Sequence, residues 1–150
     1  MLVFSSMIRK AQASDLPAIL AFKTFAGDRS AEVADGRLFV CVEGDCINGW
    51  ATLSAHGLLG RPYVEFLATH PEHRRHGVAT RLLEHLELLH AGRRLFISTE
   101  DHNAPMLSLL NKRGYSPAGK IAGANQDGAD ELYFYKDIAR QGGQPAEQDK

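Results

Sequence analysis

The residues between positions 70 and 80 have the types and spacing of an anion-binding loop. The run reads His70-Pro71-Glu72-His73-Arg74-Arg75-His76-Gly77-Val78-Ala79-Thr80. An apolar, strand-like segment (63–69) ends just before it, and a helical pattern begins just after it. A helix N-terminus has unpaired N–H groups and a partial positive charge, and small side chains let an anion reach them. The run therefore predicts a phosphate cradle.

Other glycine motifs do not account for this segment. It lacks the G-x-G-x-x-G pattern of dinucleotide-binding loops and the Gly-Lys-Ser/Thr ending of a Walker A loop. A strand–turn–helix unit with a glycine also occurs as a purely structural turn. That is the alternative interpretation of the motif taken by itself.

Glu65 is a carboxylate within an otherwise apolar strand. It is therefore the candidate general base, the group that would accept a proton during catalysis. Such a group costs free energy unless it has a partner or a chemical role. The structural alternatives are a salt bridge or a position at the sheet edge. Imidazoles titrate near neutral pH, and three of them are alternative bases: His56, His70 and His73. His85 and His90 fall on a predicted helix and are expected at the surface.

The chain has 150 residues with 17 Lys plus Arg and 18 Asp plus Glu. This length predicts one domain, over 1–140, and the polar Gly- and Pro-containing segment 141–150 predicts a disordered tail. The near-neutral balance argues against a nucleic-acid partner. We expect no membrane segment and a cytoplasmic location. With only two cysteines, no zinc site is predicted.

The hydrophobic patterns predict the order β-α-α-β-β-β-α-β-α-β-β. The predicted strands cover 8–13, 38–42, 46–54, 63–69, 94–99, 115–121 and 131–135. The predicted helices begin near 14, 30, 78 and 103. Asn48-Gly49 is a predicted bulge, and His56-Gly57 starts a predicted loop.

The spacing Arg74-x-x-Gly77-x-Ala79 resembles the (Gln/Arg)-x-x-Gly-x-(Gly/Ala) signature of the GNAT superfamily of acetyl-CoA-dependent N-acetyltransferases. The resemblance extends over about 8–138, and the final strands are similar to a bacterial branch whose substrate is unassigned. It implies an α/β (α+β) GNAT-type acyl-CoA N-acyltransferase fold. That fold has a mixed, mostly antiparallel sheet with strands 4 and 5 splayed apart, flanked by about four helices.

The resemblance also implies which residues hold acetyl-CoA. The backbone of Leu67 and Thr69, with Ala68 between them, would pair with the pantetheine arm, and Asn103 would contact the same arm. The pyrophosphate would lie against Arg74, Arg75, His76, Gly77, Val78, Ala79 and Thr80. Asn103 is equally well explained as a helix N-cap.

By the same resemblance, the activity is transfer of an acetyl group from acetyl-CoA to a primary amine, by direct attack in a ternary complex and without a metal. The acceptor would be a small-molecule amine or a peptide, and a homodimer is one open oligomeric state. Many relatives carry a tyrosine as general acid where this chain has Leu110. That difference leaves a non-catalytic acyl-CoA-binding or sensing module as the alternative.

Overall fold

A computed structural model describes residues 6–22, 26–70 and 77–140. Within these ranges the chain forms seven β-strands and four α-helices. The strands are β1 (Ser6–Lys10), β2 (Leu38–Glu43), β3 (Cys46–Leu58), β4 (Arg61–Thr69), β5 (Arg94–Glu100), β6 (Ser116–Ile121) and β7 (Glu131–Asp137). The helices are α1 (Leu16–Leu20), α2 (Arg29–Ala34), α3 (Val78–Leu89) and α4 (Ala104–Lys112). None of the described helices is long and apolar enough to cross a membrane.

The strands form one sheet in the order β1-β2-β3-β4-β5-β7-β6. The pairs β1–β2, β2–β3, β5–β7 and β6–β7 are antiparallel, whereas β4 and β5 are parallel. The parallel ladder contains Tyr63↔Phe96 and Val64↔Ile97, while the two strands continue to Thr69 and Glu100. This mixed sheet, with its four helices, confirms the predicted fold class and element order.

The largest departure from the predicted bounds is at the hairpin between β3 and β4. The sequence predicts a loop from His56, but β3 continues to Leu58, and β4 starts at Arg61. The turn is closed by Leu59 at φ 53° and Gly60 at φ 82°. Two successive positive φ values give the tight turn that matches the twist of the strands. Because a leucine rarely adopts positive φ, the sequence did not indicate this turn.

The first strand also differs from its prediction. It covers Ser6–Lys10 rather than 8–13, and Ala13–Asp15 forms a single turn of 3-10 helix. Asp15 stabilises this turn because its carboxylate accepts hydrogen bonds from the Gln12 N–H at 2.7 Å and from Arg9 at 2.7 Å. These polar contacts take the chain out of the strand earlier than its apolar pattern indicates.

The chain divides into two compact units. One comprises Met1–Ser54 and Glu65–Leu86, and the other comprises Ala55–Val64 and Glu87–Lys150. The first has a core that includes Ala11, Ile19, Leu38, Val40, Trp50 and Ala68. Buried side chains of the second include Leu95, Ile97, Leu110, Tyr115 and Ile138. A single domain over 1–140 stays a prediction, and the predicted tail lies outside the described residues.

Within the first unit, a bulge in β3 brings the sheet close to the start of α3. Cys41 pairs with Gly49 and Val42 with Ile47, so Asn48 is the extra residue, as the sequence predicts. A Cβ atom on Gly49 would lie 2.6 Å from Val78 Cγ1 and 2.8 Å from the Ala68 carbonyl oxygen. Position 49 therefore has no room for a side chain.

We predict that Gly49→Ala destabilises the protein by about 1–3 kcal/mol, the usual cost of overpacking a filled core. Chemical denaturation measures the change in the free energy of unfolding. Val78→Ala removes the Cγ1 atom that a Cβ on residue 49 would meet. The double variant should therefore lose less free energy of unfolding than the two single variants lose together. Wild-type stability of Gly49→Ala would contradict the close approach.

Candidate functional site

The start of α3 is the part of the predicted cradle that the structure describes. Gly77 precedes the helix at φ 74°, which favours glycine, and its carbonyl accepts the first helical hydrogen bond, from the Arg81 N–H at 2.9 Å. Val78 is buried, whereas Ala79 and Thr80 are partly exposed. The N–H groups at 78–80 therefore form the first turn of a helix seated on the sheet through a buried side chain.

A basic side chain beside this turn already has an acidic partner. Arg81 donates a hydrogen bond to Glu43 on β2 at 2.9 Å, and both side chains are partly exposed. Arg74, Arg75 and His76, which the sequence assigns to the cradle, lie outside the described residues. Their assignment stays a prediction.

The end of β4 leads into this helix, and its side chains have different environments. Ala68 is 6% exposed and belongs to the core of the first unit. Leu67 and Thr69 are half-buried. The next residue, His70, donates its backbone N–H to the Asn48 carbonyl at 2.8 Å. Burial of Ala68 is compatible with the predicted role of these residues, because that role uses backbone groups.

Glu65 is the candidate base, and the structure gives it an ionic partner. Its Oε1 atom accepts a hydrogen bond from Arg37 Nη1 at 2.6 Å, and the two side chains are 29% and 32% exposed. This is the salt bridge that the sequence offered as the structural alternative. A charge-assisted hydrogen bond of this length fixes the carboxylate in place.

A second, more deeply buried ion pair interacts electrostatically with this one. Arg29 and Glu32 of α2 are 8% and 3% exposed, and they form a salt bridge through Arg29 Nε. The Arg29 guanidinium lies 4.7 Å from the ring centre of Trp50 and 4.8 Å from that of Phe66. Burial raises the pKa of Glu32, and the charge of Glu65 raises it further. The two carboxylates are therefore electrostatically coupled.

The histidines proposed as alternative bases have different settings. His56 is exposed, with Nδ1 3.3 Å from the Gly60 carbonyl, and His70 contacts the Phe22 ring edge-on. His73 lies outside the described residues. His85 and His90, expected at the surface, are half-buried, and burial lowers both pKa values. Both side chains keep part of their surface exposed.

In the second unit, Asn103 caps α4. Its Oδ1 atom accepts a hydrogen bond from the Met106 N–H at 3.2 Å, and its side chain is exposed. The N-cap interpretation is therefore confirmed. A side chain that caps a helix can also contact a ligand. The contact of Asn103 with pantetheine therefore stays a prediction.

Leu110 occupies the position of the expected tyrosine and is fully buried in α4. Tyr115, which follows α4, is 6% exposed and donates its hydroxyl to Glu87 at 2.8 Å. Glu87 also accepts from Arg113 at 2.6 Å and from Lys136 at 3.4 Å. Burial and the adjacent Glu87 carboxylate raise the pKa of Tyr115. Its hydroxyl is thus engaged in a buried polar network.

A polar network that the sequence analysis missed crosses three strands of the second unit. The Tyr63 hydroxyl lies 2.6 Å from Ser98 Oγ, and Ser98 donates a hydrogen bond to Glu131 Oε2 at 2.7 Å. The Tyr133 ring stacks on that of Tyr63 with the ring centres 6.2 Å apart. The only signal in the sequence is the alternation of polar with apolar residues in β5 and β7, and alternation alone does not reveal partners.

The sequence predicts no metal site, but among its described residues the second unit contains a group of ligand-type side chains. His102 Nε2 lies 2.8 Å from Glu100 Oε2 and 3.4 Å from Asp127 Oδ2. The three ligand atoms lie within 4.8 Å of one another, and the side chains are largely exposed.

The model of the acetyltransferase (GNAT) family matches residues 7–115 of this chain. The chain therefore belongs to the GNAT acetyltransferase family. Among curated proteins, none matches it significantly by sequence.

Solved structures show the same fold. A GNAT acetyltransferase from Bacillus cereus ATCC 10987 is 23% identical, with a TM-score of 0.77, over 91% of this chain and 99% of that one. The ribosomal-protein-S18-alanine N-acetyltransferase of Escherichia coli is 19% identical, with a TM-score of 0.71, over 97% of each chain. The acetyltransferase YncA of Salmonella typhimurium, solved with its cofactor acetyl-CoA, is 19% identical, with a TM-score of 0.69, over 87% and 92%.

We predict that Gly77→Asp abolishes binding of acetyl-CoA and of CoA, because it adds bulk and negative charge at the start of α3. Gly77→Ala is the matched control, since it brings the same strain at φ 74° without the charge. Isothermal titration of both folded variants separates strain from charge. Wild-type affinity of Gly77→Asp would refute the cradle.

We predict that Leu110→Tyr does not raise activity. The ring must enter a fully buried position, and overpacking typically costs about 1–3 kcal/mol. Leu110→Phe is the matched control, since it adds the ring without the hydroxyl. A folded tyrosine variant with a severalfold gain in rate, absent from the phenylalanine variant, would show that the site has room for an acid.

Proposed function

We propose that this protein transfers the acetyl group of acetyl-CoA to a primary amine by direct attack in a ternary complex. The observation that carries the proposal is the packing of the α3 N-terminus against β3, next to the end of β4. Gly77 adopts a conformation that favours glycine, and the glycine at position 49 lets Val78 anchor the helix. A cytoplasmic location belongs to the same proposal.

Acetyl-CoA would be held by two kinds of groups. The helix N-terminus and the basic side chains before it would bind the pyrophosphate, because phosphates favour backbone N–H groups and positive charge. The residues proposed for this role are Arg74, Arg75, His76, Gly77, Val78, Ala79 and Thr80. The backbone of Leu67, Ala68 and Thr69 would pair with the pantetheine arm, and Asn103 would contact it.

The chemistry requires a neutral amine and a stabilised oxyanion. In this proposal Glu65 takes the amine proton, and a backbone N–H in 67–69 donates to the oxygen of the tetrahedral intermediate. The Arg37 contact uses Oε1 of Glu65. The proposed step uses the other oxygen of the same carboxylate.

A panel of peptide amines and small-molecule amines tests which acceptor the protein uses. The panel holds short peptides with free N-termini, polyamines and amino acids, each added with CoA in a thermal-shift experiment. Ligand stabilisation grows with the logarithm of concentration over Kd, so weak acceptors register at high concentration. Turnover with acetyl-CoA then identifies the substrates among them.

A non-catalytic acyl-CoA-binding module is the second candidate. The observation that favours it is the fully buried Leu110 at the position of the usual acid. Acetyl-CoA binding without acetylation of any amine in the panel would support this alternative. Acetylation of any amine would exclude it.

We predict that Glu65→Gln lowers turnover at neutral pH while leaving acetyl-CoA binding intact. A positioned general base typically contributes about 10²–10⁴-fold. Arg37→Gln is the matched control, because it removes the same salt bridge and keeps the carboxylate. Equal, small losses in both variants would assign Glu65 to the salt bridge rather than to proton transfer.

A further inference from the structure

Basic side chains lie together at one end of the second unit, where β4 and β5 begin. Arg61 is the first residue of β4 and Arg94 the first residue of β5, and these two strands are parallel neighbours. Arg93 precedes β5, and Arg140 follows β7, the strand that pairs with β5 on its other side. The sequence thus supplies guanidinium groups at the ends of three adjacent strands.

The carboxylate of Asp137 at this end is engaged by a single arginine. Arg94 Nε lies 2.7 Å from Asp137 Oδ1 and Arg94 Nη2 lies 3.0 Å from Oδ2, so one guanidinium uses both oxygens. Hydrogen bonds from Arg94 lower the pKa of Asp137, and the charges of Arg94 and Arg61 lower it further. Asp137 therefore offsets one positive charge of the group, through Arg94.

Arg93 has no such counter-charge. Its side chain is partly buried, and its Nε atom is buried without a hydrogen bond. None of the ion pairs between described residues of the second unit includes Arg93. Burial lowers the pKa of His90, and the charge of Arg93 lowers it further. Because a desolvated, charged donor costs free energy until it meets an acceptor, Arg93 is suited to binding an anion.

The backbone holds Arg140 beside Arg93. The Gly92 N–H donates to the Ile138 carbonyl at 2.8 Å, and the Ile138 N–H donates to the Arg93 carbonyl at 2.9 Å. A Cβ atom on Gly92 would lie 3.1 Å from Arg140 Cγ and 3.2 Å from Arg140 Nε. The stem of Arg140 thus crosses the residue that directly precedes Arg93. Two cations held so close repel each other, and an anion bound to both would relieve the repulsion.

We propose that Arg93 and Arg140 bind a phosphate monoester, the group carried by small phosphorylated ligands. A guanidinium presents five N–H donors in a planar fork that matches phosphate oxygens. A monoester has a second pKa of about 6, so it carries nearly two negative charges at pH 8 and matches two guanidiniums. Arg61, whose charge acts on Asp137, adds to the positive potential at the same end.

This site is separate from the proposed acetyl-CoA site. The proposed pyrophosphate site is at Gly77, where α3 begins, whereas Arg93 comes after the end of α3 at Leu89. A phosphate held by Arg93 and Arg140 would connect the segment before β5 with the segment after β7. Such a ligand would stabilise the folded protein, because it binds an arrangement that the unfolded chain lacks.

A structural explanation for Arg93 is the partial negative charge at the C-terminus of α3. Arg93 is four residues beyond Leu89, the last residue of the helix, and this effect falls off within the last turn. If Arg93 served only the helix, its loss would lower thermal stability and leave anion affinity unchanged. The two explanations therefore differ in a measurable quantity.

Isothermal titration of the full chain with inorganic phosphate at pH 8 tests the site. One equivalent of CoA is present to fill the proposed pyrophosphate site, and chloride keeps the ionic strength constant. We expect saturable binding of phosphate. Arg93→Gln and Arg140→Gln should each weaken it at least about tenfold, as loss of a charge-assisted hydrogen bond typically does. Arg140 is exposed, so its variant should fold.

Two further variants are matched controls. Lys120→Gln removes an exposed cation that pairs with Asp130 in the same unit, and it should keep wild-type phosphate affinity. Asp137→Asn removes the carboxylate next to the arginines and should strengthen phosphate binding severalfold. A purely structural group of charges would lose thermal stability in Asp137→Asn without a gain in phosphate affinity, which would contradict the site.

Two probes distinguish the sources of the phosphate. Methyl phosphate is a monoester and should bind as inorganic phosphate does. Dimethyl phosphate is a singly charged diester, like the linkages of nucleic acids and phospholipids, and it should bind more weakly. Equal affinity for the two probes would overturn the assignment to a monoester.

The variants decide whether the site exists. Absence of saturable phosphate binding, or equal affinities in the wild type, Arg93→Gln and Arg140→Gln, would overturn it. A loss in Lys120→Gln as large as that in Arg93→Gln would also overturn it, because it would indicate a general attraction of anions. Acetyl transfer is measured separately with the amine panel, so its failure and the failure of this site are distinguishable.

Discussion

The missing side chain at Gly49 is the constraint on which the first unit depends. With Val78 Cγ1 2.6 Å and the Ala68 carbonyl oxygen 2.8 Å from the position of a Cβ, β3, the end of β4 and the start of α3 meet at one point. The extra residue, Asn48, provides the local bend and accepts the His70 N–H. A phosphate site made of backbone N–H groups needs such anchoring, because its geometry depends on where the helix begins.

Three partly or fully buried carboxylates in this chain differ in the charge of the groups that donate hydrogen bonds to them. Glu65 accepts a hydrogen bond from the Arg37 guanidinium, and Glu87 accepts from Arg113 and Tyr115, so both have a cationic partner. Glu131 instead accepts from the neutral donors Ser98 and Asn125.

The sequence predicted the fold well because its local signals agree with one another. The α3 pattern, Gly77 at its start and the Asn48-Gly49 bulge were all readable from residue types and spacing. The β3–β4 turn was not, because Leu59 adopts a conformation that leucine rarely takes. The Arg37–Glu65 pair joins residues 28 positions apart, and Tyr63–Ser98 joins residues 35 apart. Such partners are set by strand register, which one sequence does not disclose.

The absence of a tyrosine at position 110 is easier to understand once the two proton transfers are considered separately. A thiol has a reference pKa near 8.5, so a thiolate is a tolerable leaving group near neutral pH. An aliphatic amine is mostly protonated under the same conditions, as the reference pKa of about 10.4 for lysine indicates. Removing that proton is the harder task, and in the proposed function it falls to Glu65 rather than to a residue of α4. Leu110 can then contribute to the core of the second unit instead of to proton transfer.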